Sequence, residues 1–185
     1  MKFYLNLGSL DCLEEIMEVQ EEAKRTVKKQ EWFATDDGEY MSAILREKGF
    51  VITAREEESR ELAGFFSVYF PGKRENLGEF AGLSGEGLFQ VVHMDSAAVR
   101  EKYRGWGLQR LMLSRAEEEL DSGMKEKGQT LQYRMCTVHP DNFYSLRNME
   151  QAGYELITKA RLYGGLERYV LCKKVTETQT QNRKL

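Results

Sequence analysis

The hydrophobic pattern of the chain divides into short strand-like stretches and longer stretches with helical spacing. Seven short runs of apolar, aromatic and β-branched residues predict strands over about 2–7, 50–54, 62–70, 89–99, 131–138, 154–157 and 168–174. Apolar positions three and four residues apart predict helices over about 11–29, 39–48, 107–120 and 142–151. Residues that commonly cap helices precede three of them: Asp11, then Asp36 and Asp37, then Asp141 and Asn142. This order predicts a mixed α/β domain.

The stretch from Phe89 to Leu120 joins a predicted strand to a helix through a turn with two glycines, Gly105 and Gly107. A helix that begins near Gly107 leaves its first N–H groups without intrahelical partners, and its dipole adds positive charge there. Glycines let a ligand approach the backbone closely, and Arg104 and Arg110 add charge. The junction therefore predicts an anion site that would hold a pyrophosphate.

Three interpretations of this junction are a P-loop, a dinucleotide-binding turn and a turn that binds no ligand. A P-loop requires a Lys-Ser/Thr pair after its glycines, and the residues from Leu108 to Arg110 supply none. A dinucleotide fingerprint requires a small residue three positions after Gly107, where this chain has Arg110. A strand, turn and helix whose glycines serve only packing is the remaining alternative from the residues alone.

The segment Arg104-Gly105-Trp106-Gly107-Leu108-Gln109 resembles the Q/R-x-x-G-x-G/A signature of the GNAT superfamily of acyl-CoA-dependent N-acyltransferases. Gln109 departs from the usual Gly or Ala. A second segment, from Val138 through Asn142, Ser145 and Asn148 to Gly153-Tyr154, resembles a later part of the same family. The two motifs stand in the family's order.

The resemblance implies a single GNAT domain over residues 1–175, followed by a polar tail, 176–185, that we expect to be disordered. Its fold would be α/β, with a mixed, mostly antiparallel central sheet of about seven strands, two central strands that splay apart, and about four flanking helices.

The resemblance also implies a binding site for acetyl-CoA as co-substrate, with no metal. The first splayed strand would bond the pantetheine arm, and a backbone N–H near Val99 would polarise the thioester carbonyl. The turn would take the pyrophosphate, and polar residues of the later helix would face the pantetheine and the sulfur. The predicted contacts are Ala97, Ala98, Val99, Arg104, Gly105, Trp106, Gly107, Leu108, Gln109, Arg110, Asn142, Ser145 and Asn148.

Direct attack on the thioester requires a neutral amine, and an alkyl ammonium with a pKa of about 10.4 needs a base. Asp95 and His93 share a strand face with Ala97, so Asp95 is the first candidate base and His93 the second. A packed core histidine and a buried polar partner are the alternatives for these two residues. The family often has a tyrosine that acts as general acid seven residues after the helix asparagine, where this chain has Met149. Tyr144, near the start of the same helix, is the candidate to replace it.

Trp32, Phe33 and Tyr40 are predicted to line either an acceptor pocket or the core. The long connection from Pro71 to Leu88 contains five glycines, and it is either a flap over the acceptor or an insertion without a role.

The amino-acid composition limits the kinds of partner that we expect for this protein. A hydrophobic content of 41%, a charged content of 31% and a net charge of −3 suit a globular protein and argue against nucleic-acid binding. No apolar run approaches the length of a membrane span, and the N-terminus lacks a signal-peptide pattern. Three widely spaced cysteines fit reduced thiols in a cytoplasmic protein and provide no zinc site.

We therefore expect a cytoplasmic N-acetyltransferase, monomer or homodimer, that acts on a primary amine of a small molecule or peptide. The alternatives are a non-catalytic acyl-CoA-binding or sensing module and, less favoured by the missing P-loop residues, a nucleotide-binding protein.

Overall fold

Seven strands form one sheet in the computed structural model, which describes residues 1–127 and 131–175; the predicted tail lies outside them. The strands are β1 (Phe3–Leu7), β2 (Gly49–Glu56), β3 (Leu62–Tyr69), β4 (Val91–Val99), β5 (Tyr133–Val138), β6 (Glu155–Leu162) and β7 (Leu166–Lys174). Their spatial order is β1-β2-β3-β4-β5-β7-β6, and every neighbouring pair is antiparallel except β4 and β5. The predicted fold class is confirmed.

Four α-helices flank this sheet: α1 (Leu13–Thr26), α2 (Gly38–Ala43), α3 (Leu108–Lys127) and α4 (Phe143–Gln151). One core lies under α1 and α2 and includes Ile16, Val19 and Met41 with Phe65 of β3. The other includes Leu108, Met112 and Met149 of α3 and α4, packed on the opposite face of the sheet. The spacing of these apolar positions explains why sequence periodicity located the helices.

Two helix predictions need correction at their ends. Asp11 does not cap α1, because it lies inside a 3₁₀ turn, Leu10–Cys12, that precedes the helix. The helix predicted over 39–48 changes after Ala43 into a π-helical turn, Ile44–Lys48. Gly49 does not end it with a left-handed cap: its φ is 170°, and an added Cβ would lie 1.8 Å from the Val68 carbonyl oxygen. Close packing of β2 against β3 therefore requires this glycine.

The central strand starts later than its hydrophobic pattern predicts. Phe89 belongs to a 3₁₀ turn, Gly85–Gln90, and its ring is 54% exposed, so β4 begins at Val91. The preceding connection is held in place by buried Asn76, whose amide donates to the carbonyl oxygens of Gly72 and Leu88. This connection packs on the sheet beside β4 and β5, where Leu77 enters a third core cluster.

Candidate active site

The sheet parts between β4 and β5. These strands pair in parallel only over Val91–His93 and Tyr133–Met135, and within the described residues no pairing between them continues beyond that point. β4 nevertheless runs on to Val99, and β5 runs on to Val138. Backbone groups on the β5-facing edge of β4 are therefore left for another partner. The site predicted along residues 97–99 lines this gap.

A bulge in β4 positions Asp95 beside the gap. Two residues, Asp95 and Ser96, stand opposite Ser67 of β3, because the register between the strands shifts by one residue there. The Ser67 hydroxyl occupies the bulge: its Oγ accepts from the Ser96 N–H (2.9 Å) and lies 3.2 Å from Asp95 Oδ2, to which it donates. An extra residue that re-aims a side chain is a common use of a bulge near a functional site.

Asp36 brings a second carboxyl group to this place. Its Oδ2 accepts a hydrogen bond from Ser96 Oγ at 2.6 Å. Buried Gln20 of α1 holds the backbone of Asp36, donating to its carbonyl oxygen (2.7 Å) and accepting from its N–H (3.3 Å). Only Asp37 caps α2, through the N–H of Tyr40. Asp36 is a site residue that the sequence analysis treated only as a possible cap.

The charge state of Asp95 suits a base that works near neutral pH. Burial and the negative charge of Asp36 raise the pKa of Asp95 to about 7, although hydrogen bonds from Ser67 and Tyr40 act in the opposite direction. Burial likewise raises the pKa of Asp36. Like charges placed close together in a partly buried site favour retention of a proton between them.

Two tyrosines from different elements border the Asp95 carboxyl group. Tyr40 of α2 directs its hydroxyl to Asp95 Oδ2 at 3.4 Å, and burial raises the pKa of this hydroxyl. Its ring lies 5.3 Å from the ring of Tyr69, at the end of β3. Tyr40 was predicted to line either an acceptor pocket or the core; it packs against the α1–α2 core and also reaches the candidate base.

A third tyrosine approaches from the opposite side of the gap. Tyr163 lies in the turn between β6 and β7, and its hydroxyl is 3.1 Å from Thr137 Oγ1 of β5. Partial burial of this hydroxyl, and then the fields of Asp95 and Asp36, raise the pKa of Tyr163, although the residue as a whole is 55% exposed. We use the name carboxyl chamber for the space bordered by Asp36, Tyr40, Tyr69, Asp95 and Tyr163.

His93 has a structural task beside the carboxyl chamber. Its Nε2 accepts a hydrogen bond from the Leu77 N–H at 3.0 Å, and burial lowers the pKa of His93 to about 4. The imidazole is thus neutral near pH 7, and its basic nitrogen is already engaged in holding the connection before β4. A role for His93 as base stays a prediction that this geometry disfavours.

The glycine turn before α3 is open. Gly105 and Gly107 have φ values of 86° and 74°, in the left-handed region that favours glycine. A Cβ added at Gly105 would meet nothing within 4 Å, and one at Gly107 would meet only the end of the Arg110 side chain at 3.8 Å. Leu111 donates to the Gly107 carbonyl oxygen, so the first N–H groups of α3 face this open space without helical partners.

The side chains around the turn differ in how far they are engaged in contacts with the rest of the protein. Arg104 donates to the carbonyl oxygen and hydroxyl of Thr26 at the end of α1, so its guanidinium is partly committed to joining the turn to that helix. Trp106 is half exposed and packs edge-on against Phe3, with 6.1 Å between ring centroids. Arg110 is exposed beside the turn.

Three of the residues predicted to contact acetyl-CoA lie together where α3 faces α4. Gln109 donates to Ser145 Oγ (3.2 Å) and accepts from the Asn148 amide (2.9 Å). Asn142 caps α4, and its Oδ1 accepts from the Ser145 N–H. The fold therefore assembles the residues of the two sequence motifs, which are more than thirty positions apart along the chain, into one hydrogen-bonded group.

Comparison with known proteins identifies this architecture. No protein-family model matches the chain, and no curated protein matches it in sequence. Among solved structures, Arabidopsis thaliana NAA60 in complex with acetyl-CoA is similar over 94% of this chain and 99% of its own, with a TM-score of 0.72 and 14% identity. An acetyltransferase of the GNAT family from Streptococcus pneumoniae matches over 95% and 100%, with a TM-score of 0.68 and 14% identity.

A third structure, the putative acetyltransferase yncA from Salmonella typhimurium with acetyl-CoA, matches over 96% of both chains, with a TM-score of 0.64 and 17% identity. The fold is that of the GNAT acyltransferases. At these identities the likeness establishes the fold, and the chemistry has to be argued from the residues present.

At the position where the GNAT resemblance places a tyrosine that acts as general acid, this chain has a buried methionine. Met149 is 3% exposed and packs in the core with α3. Tyr144, the predicted substitute, is 74% exposed in the first turn of α4. The assignment of Tyr144 as the acid stays a prediction, and its exposed position gives it no support.

The remaining predicted acceptor residues lie on the connection between α1 and α2. Phe33 packs against the core beneath these helices. The Trp32 ring lies 6.4 Å from that of His139, and its Nε1 has no hydrogen-bond partner among the described residues. Lys29 and Asp141 form an ion pair (2.8 Å) that joins this connection to the loop before α4.

Within residues 1–127 and 131–175, no group of three or more His, Cys, Asp or Glu side chains has the arrangement of a metal site. In the same ranges, no helix combines the length and apolar character that a bilayer crossing requires.

Proposed function

We propose that this protein transfers the acetyl group of acetyl-CoA to a primary amine by direct attack. The observation that carries the proposal is the continuous path from the open turn before α3, along the parted edge of β4, to the Asp95 carboxyl group. An anion site, an unpaired strand edge and a base with a pKa near neutrality thus follow one another. The two structural neighbours that contain acetyl-CoA support the choice of co-substrate.

In this proposal the N-terminal N–H groups of α3 receive the pyrophosphate, and the edge of β4 from Ala97 to Val99 receives the pantetheine arm. Gln109 and Asn148 fix α4 against α3 on the other side of the arm. A hydrogen bond to a charged group contributes roughly 1.5–3 kcal/mol, so a few at the turn bind a pyrophosphate without a metal.

The amine enters through the carboxyl chamber. Ionised Asp95 takes a proton from the ammonium form of the acceptor, directly or through water, and the neutral amine attacks the thioester carbonyl. A backbone N–H near Val99 stabilises the oxyanion. The C–S bond then breaks, and coenzyme A leaves as a thiolate, which is a tolerable leaving group because a thiol has a pKa of about 8.5. The attacking nitrogen loses its second proton through water to the thiolate, so the products are the acetylated amine and coenzyme A.

Calorimetric titration with acetyl-CoA, with wild type and Gly107→Asp in parallel, tests the binding half of the proposal. The aspartate places a side chain and a negative charge in front of the α3 N-terminus. Gly82→Asp is the matched control, because Gly82 has a φ of 78° and an equally open environment on a turn distant in sequence. We expect binding by the wild type and the control, and loss of binding in Gly107→Asp.

Amine-dependent release of coenzyme A tests the catalytic half. A non-catalytic acyl-CoA-binding module is the second candidate, and burial of Met149 where the GNAT resemblance implies an acid favours it. Thioester consumption that rises when an amine is added supports the transferase. Tight binding with no consumption in any amine supports the binding module, and absence of binding by the folded wild type contradicts both.

A further inference from the structure

Arg168 of β7 is a buried cation with an incomplete set of partners. The residue is 2% exposed, and its Nη1 donates to the Glu167 carbonyl oxygen at 2.9 Å. Its Nη2 is buried and has no hydrogen-bond partner among the described residues. Burial lowers the pKa of Arg168, which shows the cost of keeping this charge away from water. A buried guanidinium nitrogen without a partner indicates that a group outside the described residues completes the site.

The position of Arg168 in the sheet relates it to the carboxyl chamber. Arg168 and Val170 share one face of β7, and Val170 packs with Met135 of β5 and Val91 of β4. Alternation along β4 places Val91, His93 and Asp95 on that face, and the bulge changes the alternation only after Asp95. Arg168 and Asp95 therefore lie on the same face of the sheet, on opposite sides of the gap between β4 and β5.

Tyr163 connects the two ends of this space. The Arg168 Cζ lies 5.7 Å from the centroid of the Tyr163 ring, a distance at which a cation interacts with an aromatic face. The hydroxyl at the other end of the ring contacts Thr137 and lies within the fields of Asp95 and Asp36. The Tyr163 side chain thus interacts with the guanidinium and with the fields of both carboxyl groups.

A second donor without a partner lies in the same region. Trp32 Nε1 is buried and unpartnered, and the Trp32 ring is next to His139. Glu31 lies 3.9 Å from His139 Nε2 and exerts its field on Arg168, but it makes no hydrogen bond to the guanidinium. Two unsatisfied donors and one buried positive charge together match a ligand group that is anionic and accepts hydrogen bonds.

We propose that the acceptor is a zwitterion, an amino acid or a close analogue, whose amine lies at Asp95 and Asp36 and whose carboxylate is bound by Arg168. This inference rests on the proposed function, because it names the acceptor class of that same site. The arrangement explains why the carboxyl chamber lies on the same sheet face as a guanidinium with an unpartnered Nη2: each complements one charge of the ligand. A guanidinium binds a carboxylate through two parallel hydrogen bonds, which fixes the direction of the molecule.

The test uses ω-amino acids with one to five carbons between amine and carboxylate, each paired with its amide. The amide keeps the amine and the length of the molecule and removes the negative charge. We expect kcat/KM of the wild type, in the presence of acetyl-CoA, to favour the best acid over its amide by tenfold or more, mainly through KM. Binding of the same pairs to the protein with coenzyme A, measured by calorimetry, gives a readout that does not depend on turnover.

Arg168→Gln should abolish this preference. The variant should bind the acid about as weakly as the amide. Arg161→Gln is the matched control, because Arg161 is an exposed arginine on the neighbouring strand β6 and should keep the full preference. If Arg168→Gln does not fold, the acid-to-amide comparison in the wild type decides alone.

The outcomes separate this inference from the proposed function. Turnover of amines without any preference for the acid, or a preference retained in folded Arg168→Gln, overturns the zwitterion and leaves the transferase intact. Failure of every acid in the series to bind the wild type overturns it as well, whether or not acetyl-CoA binds. Failure of acetyl-CoA to bind overturns the proposed function itself.

Discussion

Replacement of Asp95 by asparagine tests the base directly. Asp95→Asn keeps the shape of the side chain and removes its ability to take a proton, so we expect kcat at pH 7.5 to fall by about 10²–10⁴. The dissociation constant for acetyl-CoA, measured by calorimetry, should not change. In the wild type kcat should rise with pH and level off above about 7, as the carboxyl group ionises. A rate that keeps its pH profile in Asp95→Asn would remove Asp95 from the mechanism.

The raised pKa of Asp95 also affects stability. Its value in the folded protein, about 7, lies above the ordinary value of 3.8, so folding favours the protonated form. The stability associated with that proton is fully present below pH about 4 and is lost as the pH rises through about 7. Urea unfolding should therefore find Asp95→Asn more stable than wild type at pH 8, with the difference shrinking towards pH 4. A difference that is the same at both pH values would show that Asp95 is not protonated near neutral pH in the folded wild type.

Single residues differ in how far the sequence predicts their roles. Asp95 could be selected as candidate base because strand alternation puts it on one face with His93. The shared face expected with Ala97 is wrong, because the bulge breaks the alternation and Ala97 packs in the core under α3 and α4. Asp36 and Asp37 look equivalent in sequence, and they are distinguished by contacts in the folded chain, above all that of Asp36 with Ser96, sixty positions away. The unpartnered Nη2 of Arg168 likewise has no local signal, because it depends on which side chains the completed sheet leaves near that atom.

Among the elements, the contact between α3 and α4 has a specific dependence on Gln109. The side chain uses both its donor and its acceptor to join Ser145 and Asn148. Gln109→Ala loses both bonds, each with a net contribution of about 0.5–1.5 kcal/mol, so we expect acetyl-CoA to bind roughly tenfold more weakly. Ser114→Ala, at an exposed position of the same helix, is the control in the calorimetric titration and should bind like wild type. Unchanged affinity in Gln109→Ala would show that this helix contact does not shape the site.

Helices and strands were predicted well where a regular hydrophobic pattern fills the whole segment, and less well where contacts with other elements determine the local backbone conformation. The helical spacing of α1, α3 and α4 is visible from sequence because each buries one continuous face. The bulge in β4 could not be seen, since it is a property of the pairing with β3. The π-helical turn at Ile44–Lys48 was also missed, because its apolar spacing over so few residues resembles that of an α-helix.

At the scale of the whole molecule, a buried charged group joins β5 and β7 to α3. Glu117 accepts hydrogen bonds from Tyr154 (3.0 Å) and Lys173 (2.7 and 2.8 Å), and Arg134 of β5 lies 3.5 Å from it. Arg134 also pairs with Asp121 one turn along the helix. The cluster leaves little of its charge exposed to water, so its partners depend on one another.

Glu117→Gln should therefore destabilise the fold strongly. Removing one member of a buried ion cluster typically costs about 3–5 kcal/mol, because the remaining charges stay buried without compensation. Urea denaturation measures the change, and Glu118→Gln, at the exposed neighbouring position, should alter the free energy of unfolding by less than about 0.5 kcal/mol. A small effect at Glu117 would mean that water reaches the cluster in solution.

The parting of β4 from β5 has a consequence for how the protein avoids aggregation. A seven-stranded sheet ordinarily has two edges, and exposed edges recruit strands from other chains. Here the separation creates two further edges in the interior. The strands still meet at Val91–His93, so the opening narrows to a single strand spacing of about 4.8 Å at that end, and a foreign strand cannot pair with both sides along its length. The wedge shape therefore favours a slender, flexible ligand along the open edge of β4 over insertion of a strand from another chain.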